Sequence, residues 1–240
     1  MNKNVLIVGS GIGGLTTALR LVKKGFKVSI VEKNSQPGGR LNQIRKDGFT
    51  FDTGPSFFTM SYEFESFAKD CGIRLPFNYY ALDPLYTVHF AGDSQPFYLF
   101  KDLDRLSNQF EKIEPDFKKK MENYLSQSKK LYEDTVDVVV KKNFDNKIEY
   151  FQALSKVDVR HLPILFRSFW REVSRHFSSR EAREIISLVA FFLGRTPFDT
   201  MAVYTLLSYV EFLHDGYYNV KGGMYKIVEG IVEELKKENV

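Results

Sequence analysis

Residues 5–14 read Val5-Leu6-Ile7-Val8-Gly9-Ser10-Gly11-Ile12-Gly13-Gly14, and this stretch decides the fold. The apolar, β-branched run predicts a strand and the glycines predict a tight turn. The residues after the turn have the apolar spacing of an amphipathic helix, and residues 27–31 predict a second strand that ends at Glu32. Strand, glycine turn, helix, strand and acid follow one another as in a Rossmann unit that binds the adenosine half of a dinucleotide.

Each glycine at the start of this unit has a predicted task. Gly9 makes the tight turn, Gly11 lets the backbone approach a diphosphate, and Gly14 lets the helix pack close to the strand. The diphosphate would lie at the helix N-terminus, where unpaired N–H groups favour negative charge. Glu32 is placed to bind a ribose diol and would repel a 2′-phosphate, which favours FAD or NAD over NADP. The alternative is an ordinary glycine-rich turn with no ligand.

The composition is typical of a soluble globular protein of one large or two interleaved domains. Of 240 residues, 43% are hydrophobic and 27% are charged, with a net charge of +4. The 22 Phe and 13 Tyr could fill a core or line a cavity for a long apolar ligand, and composition alone favours the core. No nucleic-acid-binding signature accompanies the small positive charge, so we predict no nucleic-acid partner.

Cysteine and histidine usage indicates a reducing compartment and no metal site. Cys71 is the one cysteine and is predicted to be a buried small hydrophobic residue, and the four histidines show no metal-ligand spacing. The N-terminal apolar run is too short for a signal peptide, and the other apolar runs are too short to span a bilayer. The expected location is cytoplasmic, with a peripheral position on the inner membrane face as the open alternative.

Two further motifs follow Glu32. Gln36-Pro37-Gly38-Gly39-Arg40 combines glycines that permit close backbone approach with an arginine that can bind phosphate. Phe49–Ser56 reads as a strand that enters a glycine-proline turn. Taken alone, the first motif is a loop followed by a solvated cation, and the second is a plain strand and turn.

Taken together, the motifs resemble the amine oxidase-like flavoprotein superfamily and, within it, the bacterial phytoene desaturase and carotenoid oxidoreductase family. The superfamily resemblance rests on residues 8–15, Glu32-Lys33 and residues 38–40. The narrower resemblance rests on Phe51-Asp52-Thr53-Gly54-Pro55-Ser56, Phe192-Leu193-Gly194-Arg195-Thr196-Pro197 and Lys221-Gly222-Gly223-Met224.

This resemblance implies FAD as the cofactor. It places the diphosphate at the Gly9–Gly14 turn, the adenosine ribose at Glu32, and the phosphate and ribityl region at Gly39-Arg40. Thr53-Gly54-Pro55 would lie near the isoalloxazine and the substrate channel. The complete set of predicted cofactor-binding residues is Gly9, Ser10, Gly11, Ile12, Gly13, Gly14, Glu32, Lys33, Gly38, Gly39, Arg40, Leu41, Thr53, Gly54 and Pro55.

The fold expected from these observations is α/β. A Rossmann-type FAD-binding domain with an incomplete parallel sheet is interrupted by a mostly helical domain that faces substrate and membrane. The expected boundaries are 1–75 for the first part of the FAD-binding domain, 76–219 for the substrate-binding domain and 220–240 for the return to the first. Because one βαβ unit buries little surface alone, we expect a truncated chain that represents an N-terminal half.

The resemblance also implies a reaction and a partner. Family members dehydrogenate a long, lipid-dissolved polyene at FAD, so an apolar, aromatic-lined tunnel is expected. No residue pattern identifies a catalytic base; Asp52 is the nearest acid, and a structural or flavin-loop role is favoured for it. The alternatives are a related flavoprotein (retinol saturase-like, a carotenoid isomerase or an amine oxidase) or a non-catalytic fragment that binds nucleotides only.

Membrane contact is a separate hypothesis, based on residues 160–177. Seven apolar residues there share one helical face beside a stripe formed by Arg167, Arg171 and Arg175. Such a helix could lie at an anionic lipid surface, or it could pack its apolar face inside the protein. Further along, Ser178 is the predicted N-cap of a helix that stops at Gly194.

Overall fold

The computed structural model describes residues 3–240. Its strands are β1 (Asn4–Val8), β2 (Lys27–Val31), β3 (Gln43–Lys46), β4 (Phe49–Asp52), β5 (Tyr79–Ala81), β6 (Tyr86–Val88), β7 (Phe97–Leu99) and β8 (Tyr218–Val220). Its α-helices are α1 (Ile12–Lys23), α2 (Ser61–Asp70), α3 (Leu103–Phe110), α4 (Phe117–Thr135), α5 (Lys147–Leu154), α6 (Phe169–His176), α7 (Arg180–Ser187), α8 (Leu206–Tyr209) and α9 (Lys226–Lys237). Turns of 3₁₀ helix span Val159–Phe166, Leu188–Leu193 and Ala202–Thr205, and π-helical turns span Val136–Val140 and Val210–His214.

The chain forms two compact units. The first runs to Leu82 and resumes at Tyr217, and the second spans Asp83–Gly216. The chain therefore leaves the first unit and later returns to it. The assignment of one unit to the cofactor and the other to the substrate stays a prediction.

The first unit begins with the predicted strand, turn, helix and strand, which the structure confirms. Strands β1 and β2 pair in parallel, from Asn4 opposite Lys27 to Val8 opposite Val31. One face of α1 is buried against α9, and this contact forms the core of the unit. The core side chains from these two helices are Leu15, Ala18, Leu19, Ile227, Val228, Ile231 and Leu235.

Two antiparallel pairs complete the first unit, β3 with β4 and β5 with β8. Beside the second pair, the ring of Phe58 is fully buried and makes edge contacts with Phe64, Phe77 and Tyr79 at centroid distances of 5.0–5.6 Å. Many of the aromatic residues therefore fill the core, as the composition favoured. Cys71 is buried, as predicted.

The second unit is mostly helical and opens with a hairpin, in which β6 and β7 pair antiparallel. Phe110 and Phe117 stack in its core at 4.2 Å. The helical stretch that begins at α7 ends at Gly194, which adopts the left-handed conformation (φ 68°), as predicted. A non-glycine residue would be strained there, so the chain turns at this position.

The predicted N-cap at Ser178 is wrong by one residue. Ser179 caps α7 and its side chain accepts a hydrogen bond from the Ala182 N–H. The N–H groups of Ser178 and Ser179 both donate to the buried carboxylate of Glu114, at 2.7 and 2.5 Å. This contact from a distant part of the chain fixes the backbone at the start of α7.

The single amphipathic helix predicted over residues 160–177 is also wrong. A 3₁₀ helix ends at Phe166, and α6 begins at Phe169 after a break capped by Ser168. The break is fixed from outside, because the Ala202 N–H donates to the Arg167 carbonyl and Ser168 pairs with Met201. Arg167 forms an ion pair with Glu172, so the three arginines are not a free basic stripe.

The two halves of that segment have opposite surroundings. In α6 the apolar side chains of Phe169 and Val173 are fully buried, which matches the packing alternative. In the 3₁₀ helix no residue is buried, and Phe166 is 85% exposed. Within residues 3–240, no helix combines the length and the hydropathy needed to cross a lipid bilayer.

Candidate cofactor site

The site begins at the turn between β1 and α1, where two glycines are required by geometry. Gly9 has a φ of 98°, in the region that glycine favours, and its N–H donates to the Val31 carbonyl at 2.8 Å. At Gly14, an added Cβ would lie 2.2 Å from the Gly9 carbonyl oxygen. Any side chain at residue 14 would push α1 away from the turn, so these two predicted tasks are supported by the structure.

Three separate chain segments meet around one cleft of about 950 Å³ beside this turn. They are the start of α1, the glycine-arginine loop before β3, and the turn after β4. The predicted cofactor residues that line the cleft are Gly11, Ile12, Gly13, Gly38, Gly39, Arg40, Leu41, Thr53, Gly54 and Pro55, with Asn42 as an additional one.

Close backbone packing holds these segments together. The Gly38 N–H donates to the Ser10 carbonyl at 2.8 Å, which joins the loop to the turn. An added Cβ at Gly54 would lie only 2.0 Å from the Arg40 carbonyl oxygen, so the third segment sits directly against the second. The glycines thus allow the three segments to pack closely, and they leave backbone groups facing the cleft.

The electrostatics of the cleft favour an anion. Helix α1 begins at its edge, and no side chain caps the helix or places an acid in its first turn. The N-terminal N–H groups of a helix carry partial positive charge and bind phosphate well. Arg40 lines the same cleft, and within the described part of the chain no carboxylate lies in salt-bridge range of it.

Glu32 lies on the other side of the turn and is held by four hydrogen bonds. The Ser10 N–H and hydroxyl donate to Oε2 at 2.8 and 2.7 Å, and the Asn34 N–H and side-chain amide both donate to Oε1 at 3.0 Å. These contacts, led by the Ser10 N–H, lower the pKa of Glu32 to about 2. The carboxylate is therefore ionised and fixed at neutral pH.

A second, smaller cleft of about 300 Å³ borders this carboxylate. Ser10, Glu32 and Asn34 form its polar edge. Its apolar sides come from Leu15, Ile30, Val232 and Leu235. A slot with apolar walls and an ionised acceptor at one edge can take a flat ring joined to a diol.

The remaining predicted site residues support the turn or face solvent. Gly9 and Gly14 line neither cleft and shape the turn, while Lys33 is exposed after Glu32. Sequence reasoning missed Asn34 and Asn42. Each is an asparagine next to a predicted site residue, and that was the available signal.

Asp52 has a structural contact. Its Oδ2 accepts a hydrogen bond from the Met224 N–H at 2.9 Å, just before α9. Asp52 thereby ties the end of β4 to the turn that leads into α9. This contact agrees with the structural role favoured for Asp52 over a role as catalytic base.

The comparisons with known proteins agree with this geometry. A family model described as flavin containing amine oxidoreductase matches residues 12–240. The chain belongs to this family. A flavin is the cofactor that the family's description names, and the resemblance predicted from the motifs is confirmed.

Curated relatives carry the names expected from the narrower resemblance. A phytoene desaturase of Fusarium fujikuroi is 33% identical over 237 residues, which cover 97% of this chain and 41% of that protein. A zeta-carotene-forming phytoene desaturase of Myxococcus xanthus is 32% identical over 244 residues, 99% of this chain and 46% of that protein. The chain thus spans less than half the length of these relatives.

A solved structure shows the same fold at lower identity. The cyclohexylamine oxidase from Brevibacterium oxydans matches with a TM-score of 0.62 at 16% identity, over 99% of this chain and 50% of that one. At this identity the match concerns the fold alone. It supports an α/β architecture of the flavin-dependent amine oxidase type.

Proposed function

We propose that this chain is the cofactor-binding and substrate-facing part of an FAD-dependent oxidoreductase that desaturates a long isoprenoid such as phytoene. The observation that carries the proposal is the meeting of three sequence-distant segments around one cleft with an uncapped helix N-terminus. The names of the curated relatives supply the substrate class. Because the chain covers less than half of each, the activity is proposed for the whole protein.

The residues present fit FAD at both ends of the site. Gly11 to Gly13 and Arg40 would hold the diphosphate, and Glu32 would bind the adenosine ribose beside the smaller cleft. Thr53, Gly54 and Pro55 would border the flavin end. The fit rests on close backbone approach, a free cation at the cleft and an ionised carboxylate next to an apolar slot.

The chemistry divides between cofactor and protein. FAD, when bound, supplies hydride-accepting chemistry that no amino-acid side chain can provide. The chain's own contribution is to orient the cofactor, through the backbone of the glycine segments and through Glu32. No catalytic residue is assigned, since Asp52 already accepts a hydrogen bond from Met224.

We further propose that the second unit is the inserted substrate-binding domain and that it contacts lipid through a helical cap, defined as residues 140–166. None of the helical residues in the cap is buried, although many are large and apolar. Ile148 and Phe151 in α5 are 70% and 65% exposed, and Phe166 is 85% exposed. Five basic residues against three acidic ones add weak attraction to anionic lipid.

Co-sedimentation with anionic vesicles tests the cap. Replacing both Ile148 and Phe151 with serine should weaken binding by about a hundredfold or more, because each buried side chain contributes about 1.5–3 kcal/mol and the two contributions add. Ile44→Ser is the matched control, since Ile44 is also exposed but lies in β3 of the first unit. Equal loss in the control, or no loss in the double variant, contradicts the lipid contact.

A second candidate function is nucleotide binding without turnover. Leu6 and Val8 of β1 are 63% and 83% exposed on a two-stranded sheet, so one apolar face of the first unit is uncovered. A chain whose sheet face lacks a packed element could bind adenine nucleotides and still fail to complete a flavin site.

The visible absorption spectrum of the purified protein, before and after incubation with FAD, separates the two candidates. Flavin bands that persist through gel filtration support the oxidoreductase. They justify assaying phytoene in liposomes, with cyclohexylamine as the test for an amine oxidase. A colourless protein that still shows a melting shift with ADP supports nucleotide binding alone.

A further inference from the structure

The acceptor that would bind the ribose is already saturated. A carboxylate has about four acceptor positions, and Glu32 receives four hydrogen bonds from Ser10 and Asn34. A ribose diol can donate to Glu32 only if one of these donors leaves. The identity of the donor that leaves decides how the site opens.

The four donors differ in how easily they can move. The two N–H groups belong to the backbone, and the Ser10 backbone is fixed further because its carbonyl accepts the Gly38 N–H. The Ser10 hydroxyl belongs to a residue that is 4% exposed. The Asn34 side chain is exposed and borders the smaller cleft, so it alone can swing into solvent without breaking buried packing.

We propose that Asn34 is a displaceable gate on Glu32 and that Ser10 is its fixed positioning residue. In the free protein the Asn34 amide occupies the acceptor position that the ribose diol takes on binding. Ser10 stays in place and keeps the carboxylate ionised and aimed into the cleft. The inference rests on the proposed adenosine site and assigns opposite roles to two residues that bind the same carboxylate.

The opposite roles predict opposite effects on nucleotide affinity. Asn34→Ala removes the competitor and should tighten ADP binding about three- to tenfold, since an exposed hydrogen bond contributes about 0.5–1.5 kcal/mol. Ser10→Ala removes a positioning donor and should weaken ADP binding by a similar factor. Ser35→Ala is the matched control, because Ser35 borders the same cleft and no hydrogen bond from it to Glu32 is seen in the described residues.

Isothermal titration calorimetry measures the affinity of each variant for ADP and for 2′,3′-dideoxy-ADP, and this comparison tests the gate. Dideoxy-ADP lacks the diol, so its affinity should not respond to Asn34→Ala if the gate acts on the ribose. ADP affinity that is unchanged or weaker in Asn34→Ala overturns the gate and leaves the FAD proposal standing. Failure of the unaltered chain to bind ADP or FAD overturns both. Because Asn34 is exposed, the deciding variant does not depend on whether Ser10→Ala folds.

Discussion

Glu211 should make the stability of the second unit depend on pH. It lies in the π-helical turn Val210–His214, is 2% exposed, and accepts a hydrogen bond from the Tyr86 hydroxyl at 2.6 Å. Burial raises the pKa of Glu211 from 4.5 to about 8, against a smaller lowering by Tyr86. The side chain is therefore protonated at neutral pH in the folded state and ionised in the unfolded state.

The sign and size of the effect follow from proton linkage. Between the two pKa values the folded state holds a proton that the unfolded state has released, so stability falls as pH rises. The slope is about 1.4 kcal/mol per pH unit, and the whole window from 4.5 to about 8 corresponds to about 5 kcal/mol. Glu211→Gln cannot ionise and should lose this slope, so it should match the unaltered protein at low pH and exceed it above pH 8.

Urea unfolding at a series of pH values measures this difference. The one tryptophan, Trp170, lies in α6 of the second unit, so its fluorescence reports that unit. Glu133→Gln is the control because Glu133 is exposed and paired on the surface with Lys129. Tyr86→Phe should extend the loss of stability to higher pH, since the Tyr86 hydrogen bond lowers the pKa of Glu211 in the folded protein. Parallel stability curves for Glu211→Gln and the unaltered chain would refute the reasoning.

Three further predictions concern packing. Glu114→Gln should destabilise the second unit by about 2–4 kcal/mol, as measured by Trp170 fluorescence during urea unfolding. Glu114 is fully buried, forms an ion pair with Lys120 and accepts a hydrogen bond from the Ser178 N–H just before α7. Phe110→Ala should cost about 3–5 kcal/mol in the same assay, since its ring is fully buried. Gly54→Ala should reduce FAD retention on gel filtration, because its Cβ would meet the Arg40 carbonyl oxygen and force two walls of the cleft apart.

Sequence reasoning succeeded where the signal is local. The apolar run, the glycines and the acid at the end of β2 lie within one short stretch, and each has a fixed backbone or packing task. The end of the helical stretch at Gly194 was predicted for the same reason, since this glycine directly follows the apolar run. Local spacing cannot show that Gly54 packs against Arg40, because that contact forms only when three segments meet.

The failures come from contacts between distant residues. The apolar periodicity of residues 160–177 suits one helix, but Met201 and Ala202 bind the backbone at Arg167 and Ser168 and divide it in two. Ser168 and the internal Pro163 were the available sequence signals for a break. Likewise, Ser178 and Ser179 both have the right residue type for an N-cap, and residue type alone does not show that Ser179 takes that position.

Two features of the second unit run against the usual burial pattern. Acidic side chains are buried, and large apolar side chains are exposed. Glu114 and Glu211 are buried, and burial of a carboxyl group costs free energy. Hydrogen bonds offset this cost at Glu114, and protonation offsets it at Glu211. Phe151 and Phe166 are large apolar side chains that the second unit leaves mostly exposed. A buried acid with partners is explained by the fold alone. The lipid contact proposed above would remove these exposed apolar side chains from water.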